Sequence, residues 1–163
     1  MRRVIVLRPT WDEIFMEQAR LMARRSTCLR RQVGAVLVRD KRAIASGYNG
    51  PPSSLLHCAE RGGCLRAQLN VPPGERQEIC RALHAEQNVV LQLAITGLSG
   101  VNSTIYVTHF PCFTCAKLLV QLGVREVVYA EGYPDQFSRD VLEEARVVCR
   151  PFPGSGGTLT GDA

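Results

Sequence analysis

The sequence predicts an α/β fold, a three-layer α/β/α sandwich on a mixed five-stranded sheet. Two apolar runs, residues 33–39 and 43–49, are joined by the polar stretch Asp40–Arg42 and read as a β-hairpin. Further on, strand-like runs alternate with helix-like segments, an order that makes the later strands parallel through crossover helices. The chain has 163 residues, 45% of them hydrophobic, enough for one domain with a real core.

The elements follow in order. Thr10 and Glu13 form a T-x-x-E capping box, and Trp11, Ile14, Phe15, Leu21 and Met22 then line one face of a helix over about residues 11–27. After the hairpin, residues 50–77 carry repeated Pro and Gly breaks and no period, so they form a long insertion loop. Residues 77–97 read as a helix ending at Gly97, 103–109 as a strand, and 112–123 as a helix ending at Gly123. A strand over 125–131, a short helix over 135–145 and a last strand over 146–150 complete the domain, residues 1–150. Residues 151–163, rich in Gly, Ser and Pro, form a flexible tail. No internal repeat is present.

Composition narrows the function. No apolar run approaches the roughly 20 residues that span a bilayer. The apolar stretch near the N-terminus covers only residues 4–7, too short for a secretory signal, so the cytoplasm is the expected compartment. Seven cysteines in a reducing compartment point to metal ligation before disulfides. The formal charge is +5, with Arg far outnumbering Lys. A phosphorylated substrate suits that balance. Scattered basic residues and 6% aromatics count against a nucleic-acid partner.

Two stretches carry chemistry. "PCFTC" places Cys112 and Cys115 where a strand ends and a helix begins, on one face of the first turn. Backbone N–H groups and the positive helix end favour thiolates there. "HAEQN" supplies His84 as a third ligand and Glu86 beside it. Three protein ligands with an open fourth position form the pattern of a catalytic zinc, which brings the pKa of water to about 7. Glu86 is then the proton shuttle in attack on an amino-bearing ring carbon. The combination H-x-E … P-C-x-x-C is the signature of zinc-dependent nucleobase deaminases.

Over about residues 10–150 the chain resembles the deoxycytidylate (dCMP) deaminases, including the type encoded in late-competence operons. The resemblance rests on "CLRRQVGAVLV", "SGYNGPP", "HC", "HAEQN", "STIYVTHFPCFTCAK" and "VVYAEGY". It implies a cytidine deaminase-like fold and hydrolytic deamination of dCMP to dUMP, feeding thymidylate synthesis. Another zinc deaminase, acting on a nucleoside, tRNA or heterocycle, is the alternative. Asn49 would hold the sugar and help fix the base, and Tyr133 would lie near the base or sugar. Arg31 is the candidate for the phosphate, with Arg30 and Arg81 also considered. Phe110 departs from the small polar residue common in relatives at the edge of the base pocket.

The resemblance also suggests a second, structural zinc. Cys28 and Cys58 fall where some relatives carry ligands; Cys64 and Cys80 could complete the site, or His57 could replace one of them. It further implies a homohexamer or other homo-oligomer, regulated by dCTP and dTTP, with Mg2+ accompanying a triphosphate effector.

Overall fold

The computed structural model describes residues 8–132 and 135–153. Helix α1 (Trp11–Ala23) begins on the expected capping box: Glu13 N–H donates to Thr10 Oγ1 (3.2 Å), and Thr10 N–H donates to Glu13 Oε2 (2.6 Å). It is shorter than expected: past Ala23 the hydrogen bonds tighten to three-residue turns, Arg25 N–H to the Met22 carbonyl and Ser26 N–H to the Ala23 carbonyl, both at 3.0 Å.

Strands β1 (Gly34–Arg39) and β2 (Arg42–Tyr48) form the hairpin. The insertion follows, containing a single turn of 3-10 helix at Ala59–Arg61 and one short helix, α2 (Leu65–Gln68). Helix α3 (Ala85–Thr96), β3 (Thr104–His109), α4 (Phe113–Leu122), β4 (Glu126–Glu131), α5 (Gln136–Glu144) and β5 (Val148–Pro151) then alternate.

The expected helix over 77–97 is corrected. Only Gln77–Ile79 makes a 3-10 turn, Cys80 is extended, and α3 starts eight residues later than predicted, at Ala85 against 77. The cause is tertiary: Leu83 pairs with Gly50 as an isolated antiparallel bridge, with N···O distances of 2.9 and 3.1 Å. That pairing holds the backbone extended until His84.

The five-stranded sheet has the order β2-β1-β3-β4-β5. Strand β1 is antiparallel to both β2 and β3, whereas β3, β4 and β5 are parallel. Alternate residues therefore face opposite layers. Ala35, Leu37, Ile105, Val107 and Val127 pack under Val89 and Leu93 of α3, Leu119 of α4 and Leu142 of α5. Val36, Val38, Tyr106 and Val128 face Phe15, Met16 and Ala19 of α1. Each fully buried aliphatic side chain here contributes about 1.5–3 kcal/mol. Strand β5 runs one residue past the expected domain limit, and Phe152 packs in the α1-side core at 7% exposure. Residues 154–163 lie outside the described residues.

Two glycines set the helix seats. A Cβ on Gly34 would stand 2.0 Å from the Ala19 carbonyl oxygen of α1, and one on Gly47 would stand 2.3 Å from that of Ala85. Only a residue without a side chain allows these contacts.

The α1 layer is also tied by charge. Arg150 donates to both carboxylate oxygens of Asp12 (2.7 and 3.0 Å) and to Glu126 (2.7 Å), and Tyr106 Oη donates to Asp12 (2.7 Å). The Arg150 hydrogen bonds hold the Asp12 carboxyl below its ordinary range, against a smaller upward push from burial. A depressed folded value means stability that is present above the unfolded pKa of about 3.9 and is lost as pH falls through the folded pKa. Asp12→Asn is expected to cost roughly 1–2 kcal/mol at pH 7, after discounting for partial exposure. In urea unfolding from pH 7 down to pH 2.5, that gap should close below about pH 4; a gap independent of pH would contradict the charge assignment.

Candidate metal centre and active site

The site lies at the carboxyl ends of the parallel strands, beside the point where β3 changes from an antiparallel to a parallel neighbour. Open α/β sheets bind ligands at such a position. Two helices begin there. His84 is the N-cap of α3 (φ −74°, ψ 160°), and Cys112 is the N-cap of α4 (φ −71°, ψ 167°). His84 N–H donates to Gln87 Oε1 at 2.7 Å, which fixes the start of α3. Asn88 Nδ2 donates to the Tyr48 carbonyl at 2.7 Å and pins the same turn to β2.

This arrangement brings His84, Cys112 and Cys115 together. Their ligand atoms all lie within 4.8 Å of one another, the one such cluster of three or more among the described residues. His84 Nδ1 stands 3.4 Å from Cys112 Sγ and 3.5 Å from Cys115 Sγ. Cys115 is fully buried, and Glu86 on the first turn of α3 is 4% exposed.

The electrostatics ask for a cation. Hydrogen bonds from Cys115 and then His84 hold the Cys112 thiol far below the ordinary thiol range, despite burial. Cys115 is pushed the opposite way, first by its hydrogen bond to Cys112 and then by burial and the Glu86 charge. The hydrogen bond to Cys112 raises His84 against burial. Desolvation pushes Glu86 up to about 7. Two thiols and a carboxyl in one desolvated spot cannot all ionise unless a positive charge lies among them. One imidazole and two thiols with open space beside them form the donor set that a catalytic zinc takes.

The cluster opens into a cavity of about 270 Å³, the order of size that takes a small ligand. Asn49, Arg31, His84, Glu86 and Phe110 line it. Asn49 is 8% exposed; its Oδ1 accepts from Val33 N–H and its Nδ2 donates to the Arg31 carbonyl, both at 2.8 Å. One N–H and one lone pair of the amide remain for a ligand. Phe110 stands edge-on to Tyr129 at 4.9 Å, which fixes its ring at the cavity wall. Arg31 lies exposed at the mouth. Arg30 reaches the Val71 carbonyl at 3.2 Å, and Arg81 does not line the cavity. Tyr133 lies outside the described residues.

With this geometry in view, comparison with known proteins is decisive. The profile of the cytidine and deoxycytidylate deaminase zinc-binding region matches residues 9–131. The chain belongs to this deaminase family. ComE operon protein 2 of Bacillus subtilis is 42% identical over 141 residues, 86% of this chain and 70% of that protein. The deoxycytidylate deaminase of Schizosaccharomyces pombe is 42% identical over 89% of this chain, but the chain spans only 45% of that protein's length. Among solved structures, the cyanophage S-TIM5 dCMP deaminase in complex with dCMP and dUMP superposes with a TM-score of 0.71 at 32% identity, covering 90% of this chain and 99% of that one. The family and the described histidine–cysteine cluster make zinc the metal of this domain.

Cys28, Cys58, Cys64 and Cys80 line the same cavity on its other side. Burial raises the Cys58 thiol, and Cys64, Cys80 and Cys28 add to the shift, so the four are neighbours. They do not stand at ligand spacing as the His84 cluster does. His57 Nδ1 is occupied by Thr27 Oγ1 at 2.6 Å.

Two titratable cavity residues were not foreseen from sequence. His109 is held by Thr108 Oγ1 at 3.1 Å and faces Glu131 at 3.4 Å. Arg66 comes from α2 inside the insertion. The "THFPC" run gave a weak signal for the first, and an aperiodic insertion gave none for the second.

Cys115→Ser should lower the zinc count by one per chain after dialysis against a mild chelator, because the softest buried ligand is lost. Metal analysis of wild type and variant checks this; an unchanged count would remove Cys115 from the ligand set.

Proposed function

We propose that the chain hydrolyses dCMP to dUMP and ammonia in the cytoplasm, a supply step for thymidylate synthesis. The observation that carries this reading is the buried Glu86 beside the His84, Cys112 and Cys115 cluster in a cavity shared with Asn49. A purely structural zinc has no use for that carboxyl. The S. pombe relative and the S-TIM5 protein, named for dCMP, support the substrate.

His84, Cys112 and Cys115 would hold the zinc, whose Lewis acidity makes water nucleophilic near neutral pH. As a water oxygen bonds to ring C4, Glu86 would take one of its protons and deliver it to ring N3, and the exocyclic C4–N bond would then break. The second water proton goes by the same carboxyl to the exocyclic amine, which leaves as ammonia. Burial pushes Glu86 up to about 7, a range in which one carboxyl both accepts and donates. The free half of the Asn49 amide faces the sugar and base. Phe110 supplies an aromatic wall and Arg31 meets the phosphate at the mouth; a substrate role for Tyr133 belongs to the same proposal.

Incubation with dCMP, cytidine, deoxycytidine and dCTP, followed by ammonia release, tests this. Glu86→Gln is expected to lower kcat for dCMP by about 10²–10⁴ while its zinc remains bound. Absence of turnover with zinc present in the wild type would overturn the dCMP reading and point to another heterocycle or a tRNA.

Cys28, Cys58, Cys64 and Cys80 are proposed to close on a second, structural zinc that anchors the insertion, with His57 as the substitute for one thiol. A wild-type count near two zincs per chain, falling to near one in Cys58→Ser, is the expected result. A count near one in both proteins would remove this site.

The exposed outer face of α3 supports a homo-oligomer, up to a hexamer. Ile95 is 85% exposed and Leu91, one turn earlier on the same face, 45%. Regulation by dCTP or dTTP with Mg2+ belongs to the same reading.

A further inference from the structure

The cavity is lined by a cationic side chain that has no ion-pair partner among the described residues. Arg66 lines the cavity with His84 and Glu86. One of its amino groups donates to the Pro72 carbonyl at 3.1 Å, which fixes the guanidinium against the insertion. Its Nε is buried and has no hydrogen-bond partner. Among the described residues no carboxylate forms an ion pair with it; Glu78, which feels its charge, is bound by Arg76. A guanidinium presents five donors in a planar fork, and leaving one buried and unmatched is costly. The other cavity arginines differ. Arg30 and Arg31 are exposed to solvent.

The geometry points to Arg66 as the residue that grips the 5′-phosphate of the substrate and makes the enzyme prefer a nucleotide to a nucleoside. The inference rests on the dCMP reading above and adds a determinant to it. A phosphate oxygen is the acceptor that a rigid, half-desolvated guanidinium fits best. Arg66 sits on a short helix between two cysteines of the upstream cluster, so the insertion carries a selectivity element into the cavity. Arg31 at the mouth then draws the anion in, and Arg66 holds it.

The test uses the product and its phosphate-free counterpart, which are not consumed. The zinc-loaded chain is titrated calorimetrically with dUMP and with deoxyuridine, which differ only in the phosphate. Wild type should bind dUMP more tightly. In Arg66→Gln the ratio of the two Kd values should shrink by about 10- to 150-fold, the range of a charge-assisted contact. Arg66→Lys keeps the charge without the fork and should retain part of the ratio. Deoxyuridine enters the same cavity, so any loosening of the insertion in a variant weakens both ligands alike and leaves the ratio at its wild-type value. That result would overturn the assignment, as would loss of the ratio in Arg31→Gln with none in Arg66→Gln. Wild type that binds dUMP but turns over no dCMP would sink the reaction and leave the Arg66 comparison readable. Wild type that binds no dUMP would sink both.

Discussion

Helix α3 lies against β2 at a distance that no side chain on Gly47 would permit, since a Cβ there would stand 2.3 Å from the Ala85 carbonyl oxygen. That contact sets where the site is built. Asn88 ties the same turn to the Tyr48 carbonyl, and the Gly50–Leu83 bridge holds the incoming chain extended. The helix can then begin only at Ala85. His84 is left at its cap, pointing to the thiols, and Glu86 on the first turn is buried. A shift of one residue would rotate these side chains by about 100°, because an α-helix has 3.6 residues per turn.

The second helix start completes the arrangement. Helix α4 opens directly past the end of β3, so Cys112 caps it and Cys115 lies one turn in, fully buried. Both helices aim their positive ends at one place. The acids gathered there are therefore partly compensated by backbone before any metal binds. The remaining deficit, visible in the opposed behaviour of Cys112 and Cys115, is what a dication relieves.

The sequence made the cluster legible because its spacing is local: C-x-x-C puts the two thiols one turn apart at the start of α4, and H-x-E puts His84 at the cap of α3 with Glu86 on its first turn. The strand and helix order was legible from periodicity for the same reason. The stretch 77–84 was misread as helix because Gln, Glu, Arg, Ala and Leu there are good helix formers, and the competing constraint comes from Gly50, far away in sequence. Arg66 was invisible for a related reason. The insertion has no period, so nothing local says which of its side chains turns inward. The four upstream cysteines are intermediate: their proximity could be foreseen, their distances could not. Asn49 also does more than line the cavity, because half of its amide organises residues 31–33.

The Asp12–Arg150 contact bears on the order in which a growing chain can mature. Arg150 follows Cys115 by 35 residues (150 − 115). At about 5–20 residues per second, synthesis takes about 2–7 s to cover that stretch. His84, Cys112 and Cys115 are therefore all made before the residue that locks α1 onto the sheet by charge. The donors for the metal precede this anchor in the chain, so the ligand set does not wait on the charge contact that fastens α1.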